Sequence, residues 1–230
     1  MLAGPGSRVN CAGRQPCAIV LEMTALYVII DPEGCAGRDP VAVAEQALHG
    51  GCSALQLRAK VLSGCVHLEL ARALRARCDA FGVPFWVNDR PDIALLAGAH
   101  GVHVGQEDLP VSALRAAFPQ LAIGLSTHTV AQAEAAAAAG VDLVAFGPVF
   151  STRSKEAPDP VVGLAQLAQV CVRLAGPVVA IGGICSGTAS RVAQAGAAFA
   201  AVISAVCGAE DPRAASSRLC AELRGGDRAS

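Results

Sequence analysis

From Ala25 onward the chain alternates between short apolar runs rich in β-branched residues and longer Ala- and Leu-rich stretches with helical spacing. Runs apolar at nearly every position and closed by Gly, Pro, Asp or Asn are the mark of parallel strands covered on both faces. Eight occur in order: "ALYVIID" (25–31), "ALQLR" (54–58), "PFWVND" (84–89), "GVHVG" (101–105), "AIGLST" (122–127), "LVAFGP" (143–148), "PVVAIGG" (177–183) and "FAAVISA" (199–205). Between most of them lie helix candidates: "DPVAVAEQALHGG" with an aspartate start and a glycine stop, "HLELARALRARCDAFG", "TVAQAEAAAAAG", "GLAQLAQVCVRLAG" and "SGTASRVAQAG". The link between strands three and four is short, "RPDIALLAGAH" giving about two turns. Eight such units predict a single-domain, eight-stranded parallel β/α (TIM) barrel rather than an open doubly wound sheet, which has about five or six strands. The barrel is expected over residues 23–222, between a disordered tail (1–22) and a short C-terminal tail (223–230), with Met23 the expected natural start.

Composition narrows the partners. Hydrophobic residues make up 53% of the 230 and charged residues 16%, but Gly, Pro, Asp or Arg interrupts every apolar run before it can span a bilayer. A net charge of −1 and the lack of an arginine-rich stripe with interleaved aromatics give no reason to expect nucleic acid or a membrane surface as partner. The ten cysteines form no C-x-x-C pair and no zinc-like spacing; most lie in apolar runs, as Cys52, Cys78, Cys171 and Cys207 do, which reads as buried, reduced thiols in a cytoplasmic protein. Apolar helix faces leave room for a homo-oligomer.

In a β/α barrel the reactive groups stand at the carboxyl ends of the strands, and here those ends gather nearly all the capable side chains. They carry Arg58 with Lys60, Asn88 with Asp89, Gln106 to Asp108, Ser126 to His128, the run "GPVFSTRSK", Gly182 with Gly183, and Ser204. Two carboxylates about 4 Å apart repel by roughly 4 kcal/mol at an effective dielectric near 20, so Asp89 and Asp108 converging on one mouth need a positive partner, either a basic side chain or a hard cation such as Mg²⁺. The alternative is that each caps the helix that follows. Arg58 and Lys60, at i and i+2 on a strand end, share one face and with Lys155 suit a diphosphate. They suit equally an arginine paired with Asp89 and a solvated loop lysine. Gly182 and Gly183 ending strand seven, followed by "AVISA", place backbone N–H groups where loops seven and eight of such barrels hold a phosphate. His49, His67, His100 and His103 read as structural residues at the surface, at helix ends or in a strand; His128, on the rim, is a candidate ligand contact or proton shuttle.

Together "LYVIIDP", "QLRAK", "VPFWVNDRPDIALLAGAHGVHVGQEDLP", "GLSTHT", "GPVFSTRSK", "VVAIGGI" and "AVISA" make the chain, from about Ala25 to Ala214, resemble the thiamine-phosphate synthase family. The resemblance implies a Mg²⁺-assisted transferase acting on small phosphorylated molecules, joining hydroxymethylpyrimidine diphosphate to thiazole phosphate with release of pyrophosphate. It implies that Gln56, Leu57, Arg58, Ala59, Lys60, Asn88, Ser126 and Lys155 bind the pyrimidine diphosphate. Thr152, Arg153, Ser154, Gly183, Ile203 and Ser204 are the implied thiazole phosphate contacts, and Asp89 with Asp108 the ligands of one Mg²⁺ ion. The implied chemistry is dissociative and uses no protein nucleophile. Two departures stand out: Ala59 replaces the usual acid of Gln-Leu-Arg-Glu-Lys, and Ser151 and Ser154 stand in a loop that usually begins with Pro and has Thr. Rival readings are a thiazole tautomerase-like barrel, similar around His128, a phosphosugar epimerase or isomerase barrel, and a non-catalytic barrel that binds a phosphate ligand.

Overall fold

The structure, a computed structural model, describes residues 24–152 and 159–226. The expected tail at 1–22, Met23 as a start, and Arg153, Ser154 and Lys155 lie outside the described residues. The strands are β1 (Ala25–Ile30), β2 (Ala54–Leu57), β3 (Phe85–Asn88), β4 (Gly101–Val104), β5 (Ala122–Thr127), β6 (Leu143–Phe146), β7 (Val178–Ile181) and β8 (Phe199–Val202). Every neighbouring pair is parallel and β8 closes on β1, giving the eight-stranded β/α barrel that the periodicity predicts. Helices α1 (Pro40–His49), α2 (Gly64–Phe81), α3 (Pro91–Leu96), α4 (Val111–Ala117), α5 (Val130–Ala138), α6 (Gly163–Arg173) and α7 (Ala189–Gln194) make the crossovers; the one-turn α8 (Ser204–Cys207) and α9 (Pro212–Gly226) follow β8. No described helix is long and apolar enough to cross a membrane.

Alternation along the strands divides the apolar residues into two layers. Leu26, Val28 and Ile30 of β1, with Leu55 and Leu57 of β2, belong to the core between barrel and helices. Tyr27, Ile29, Ala54, Trp86, Ala145, Val179, Phe199 and Ala201 fill the lumen. A few rings among many alanines do that filling. Tyr27 and Phe199 meet edge to face at 6.0 Å, and the rings of Trp86 and His103 lie over glycines: a Cβ at Gly101 would come within 2.4 Å of Trp86 Cζ3, and one at Gly124 within 2.4 Å of His103 Nδ1. These two glycines are fixed by volume, because a close-packed lumen has no room for another methyl group.

Most strands stop one to three residues before the apolar runs do, so the polar strand ends become loop. Asp89 turns out of β3 at φ 61, and Gly182 and Gly183 leave β7 at φ 98 and 66, conformations that a strand cannot contain. Ser204, expected inside the last run, opens α8 instead. The chain also stays helical beyond residue 222, the expected end of the barrel: α9 reaches Gly226 and Leu223 is fully buried. His67, expected near a surface or helix end, is buried on the stripe of α2 that carries Ala71, Leu74 and Cys78. That spacing of four, three and four residues turns it toward the core, and burial holds its imidazole below the ordinary range.

Candidate active site

Barrel closure sets strand ends side by side and so chooses the partners of the rim charges. Ile30 and Leu57 are register partners, which brings the next residues, Asp31 and Arg58, together. Arg58 donates to the Asp31 carboxylate at 2.5 Å, and both side chains are mostly out of solvent. Asp31 works twice, since its Oδ1 accepts from Glu33 N at 3.2 Å and starts the short 3-10 turn Pro32–Cys35. On the other side of β2, Lys60 donates to Asp89 Oδ2. The expected alternatives therefore resolve in an unforeseen way: Arg58 pairs with Asp31, and Asp89 pairs with Lys60.

Neither Asp89 nor Asp108 caps a helix, for Arg90 and Pro110 hold the cap positions of α3 and α4. The left-handed backbone at Asp89 is fixed by its own N–H, which donates to His103 O at 2.8 Å on the neighbouring strand. Asp108 closes the β4 loop by accepting from Gly105 N at 2.7 Å. Burial first, and then the charge and hydrogen bonding of Asp108, push the Asp89 carboxyl above the ordinary carboxylate range, while Lys60 pulls it back. The two carboxylates, near enough for Asp108 to act on Asp89 and with the Lys60 ammonium paired to Asp89, form a hard-oxygen donor set. No three His, Cys, Asp or Glu residues gather into a metal cluster among the described residues. The pair fits Mg²⁺, which needs only one or two protein carboxylates and completes its shell with water and phosphate oxygens.

Further round the mouth, Gln106 donates to Ser126 O at 2.6 Å, and the Ser126 hydroxyl lies 2.9 Å from His103 Nε2. Gln56 donates its amide to the buried Tyr27 hydroxyl at 2.9 Å, while Asn88 ends β3 half-buried. These polar side chains stand at the end of the apolar lumen. Leu57 and Ala59, named with them from the sequence, instead pack their side chains in the layer between barrel and helices.

His103, which reads from the sequence as structural, faces the lumen beside Ser126. The signal lay in "GVHVG", where residues 101, 103 and 105 share one face of the strand. Burial holds its imidazole near pH 4, down from 6.5, against a weaker upward pull from Asp108. The ring is neutral in the folded protein. Because the unfolded chain takes up this proton first, its contribution to stability is fully present above about pH 6.5 and is lost as pH falls toward 4. Denaturant titrations should show that loss, and His103→Gln should flatten this part of the profile; an unchanged slope would count against a buried neutral histidine.

On the far side, β6 and β7 are joined beyond the sheet, with Val149 N donating to Ile181 O at 2.9 Å and Phe150 N to Gly182 O at 3.0 Å. A Cβ at Gly183 would lie 2.4 Å from Ser151 O, so the left-handed backbone there runs tightly under the loop that carries Thr152. Ile203 borders the lumen residues and Ser204 follows it at the start of α8. His128 donates from Nδ1 to Gly147 O at 2.6 Å and has Nε2 3.4 Å from Asp159 Oδ2, which makes it a brace between the ends of β5 and β6.

The family model described as thiamine monophosphate synthase matches residues 26–206, from β1 into α8. The chain belongs to that family. It is 48% identical over 202 residues to the thiamine-phosphate synthase of Anaeromyxobacter dehalogenans, covering 87% of this chain and 88% of the relative. Against the thiamine-phosphate synthase of Laribacter hongkongensis it is 44% identical over 199 residues, 86% and 94% of the two chains. A solved thiamine phosphate pyrophosphorylase from Pyrococcus furiosus superposes with a TM-score of 0.82 at 35% identity, over 88% of this chain and 96% of that one.

Proposed function

We propose that this barrel condenses hydroxymethylpyrimidine diphosphate with thiazole phosphate to give thiamine phosphate and pyrophosphate. The observation that carries the reading is the charge arrangement at the ends of β1 to β4, where Asp31–Arg58 and Lys60–Asp89 stand beside Asp108 in a chain of this family. Arg58 offers the diphosphate a planar fork held in place by Asp31, and Lys60 a mobile ammonium that can exchange Asp89 for phosphate oxygen. Lys155 adds a third cation from the β6 loop. Asp89 and Asp108 would hold one Mg²⁺, which would supply positive charge for the departing pyrophosphate.

Gln56, Asn88 and Ser126 orient the pyrimidine. The bond between its exocyclic methylene carbon and the diphosphate oxygen breaks with both electrons going to oxygen, and the ring delocalises the positive charge left on carbon. The thiazole nitrogen then gives its lone pair to that carbon, forming the C–N bond. A neutral His103 matters here, since a charged imidazole in the lumen would oppose a cation in the same space. Thr152, Arg153 and Ser154 contact the thiazole phosphate, whose anion rests on the backbone at Gly183, Ile203 and Ser204. The cysteines among the described residues are free thiols, in keeping with a cytoplasmic enzyme.

Incubation of the purified protein with both phosphorylated halves, with and without Mg²⁺, tests the reading. Thiamine phosphate and pyrophosphate should form in equal amounts and only with the metal. No product under either condition overturns it.

A further inference from the structure

Helix α9 lies wholly beyond residues 26–206, the stretch that the family model matches, yet it reaches the loop that follows β7. Its seat is rigid. A Cβ at Gly50 would come within 2.5 Å of Ser216 Cβ and 2.6 Å of Arg213 O, so the helix lies directly on the backbone at the end of α1. Ser217 donates to Gly50 O at 3.3 Å, and Leu219 and Leu223 are buried beneath.

From this seat Glu222 takes hold of the β7 loop with both carboxylate oxygens. Gly187 N donates to Oε2 at 2.8 Å, and the Ser186 hydroxyl donates to Oε1. Gly187 presents its N–H from the left-handed region, at φ 86. The turn is closed from within by Thr188, whose hydroxyl accepts from Cys185 N at 3.0 Å and whose N–H donates to Cys185 O at 3.0 Å. The other arm of the same loop, Gly182–Gly183, is pressed against Phe150 and Ser151. Five residues, 182 to 186, thus run between two fixed points, the β6 loop and Glu222.

We propose that Glu222 is a positioning residue for the thiazole phosphate: by clamping the Ser186–Gly187 tip it fixes the path of the backbone at Gly183. The proposal rests on the assignment of that phosphate to Gly183 made above. A bidentate acceptor suits the task because it restrains two donors at once, and each charge-assisted bond is stronger than a neutral one.

The test is steady-state kinetics on the Mg²⁺-loaded enzyme, each substrate varied at saturating concentration of the other, with the thermal midpoint measured in parallel. Glu222→Ala should raise KM for thiazole phosphate about five- to tenfold, with kcat and KM for the pyrimidine diphosphate within about twofold. Ser186→Ala, which removes one prong from an exposed loop, should give a smaller rise of the same kind, and Glu222→Gln should fall between. Folded Glu222→Ala and Ser186→Ala enzymes with an unaltered KM for thiazole phosphate, or with both KM values raised alike, overturn the proposal. Gly183→Ala separates the two assignments: if it raises that KM and the Glu222 variants do not, the clamp alone is wrong, and if neither does, the phosphate is not at Gly183.

Discussion

Asp108→Asn should lower the coupling rate by about a thousandfold while leaving the fold intact. Asparagine keeps an oxygen that can accept from Gly105 N, the bond by which Asp108 closes the β4 loop, so the loop retains its shape. What goes is one unit of negative charge beside Asp89. Lys60 then neutralises Asp89 alone, and the rim no longer has excess negative charge to attract a divalent cation. The rate should recover in part at high Mg²⁺, and thiazole phosphate binding, on the other side of the mouth, should change little. A near-normal rate for Asp108→Asn at low Mg²⁺ would remove the metal from Asp89 and Asp108. A loss insensitive to Mg²⁺ at every concentration would point instead to a role for the loop.

The barrel was legible because its signal repeats. Eight apolar runs closed by turn residues leave few other folds, and the rule that function sits at the strand ends then gathers Arg58, Lys60, Asp89, Asp108, Ser126 and Gly183 on one rim. Less legible was which charge meets which. A single sequence gives each strand end but not the register between strands, so Asp31 goes unassigned although "LYVIIDP" displays it, and Asp89 stands as the protein partner open to Arg58 beside the diphosphate alternative. Consecutive strands in a barrel are neighbours, and two residues each one step past a register pair are the natural partners; that reasoning would have joined Asp31 to Arg58. The same pairing changes what Ala59 means. An acid at that position would be a possible partner for Arg58 or Lys60, but both already have carboxylates from adjoining strand ends, Asp31 and Asp89. The face that His103 takes and the helix α9 are hidden for another reason. One histidine in a five-residue strand has an even choice of faces, and a helix of mean polar character such as "PRAASSRLCAELRGG" shows its buried stripe only once the barrel wall beneath it is known.

Asp31 should also be costly to lose, in stability as well as in rate, although no substrate contact is assigned to it. Its carboxylate has two tasks that can be separated by choice of replacement. Asp31→Asn keeps Oδ1 for Glu33 N and removes only the charge that holds Arg58; Asp31→Ala removes both. Breaking a largely buried ion pair leaves an uncompensated charge and costs about 3 kcal/mol, or roughly 6–12 °C in thermal midpoint for a chain of this size. Asp31→Ala should show that drop in full and Asp31→Asn most of it. In catalysis the unpaired guanidinium of Arg58 still attracts the diphosphate, so KM for the pyrimidine substrate should move little. The fork is no longer held in the geometry that meets developing charge on the leaving oxygen, and kcat should fall about thirty- to a hundredfold. Asp31→Glu, with a longer arm on the same backbone, should recover stability better than rate. If Asp31→Asn were instead to raise KM with kcat unchanged, Arg58 would be a binding residue alone, and Asp31 would serve the fold without serving the transition state.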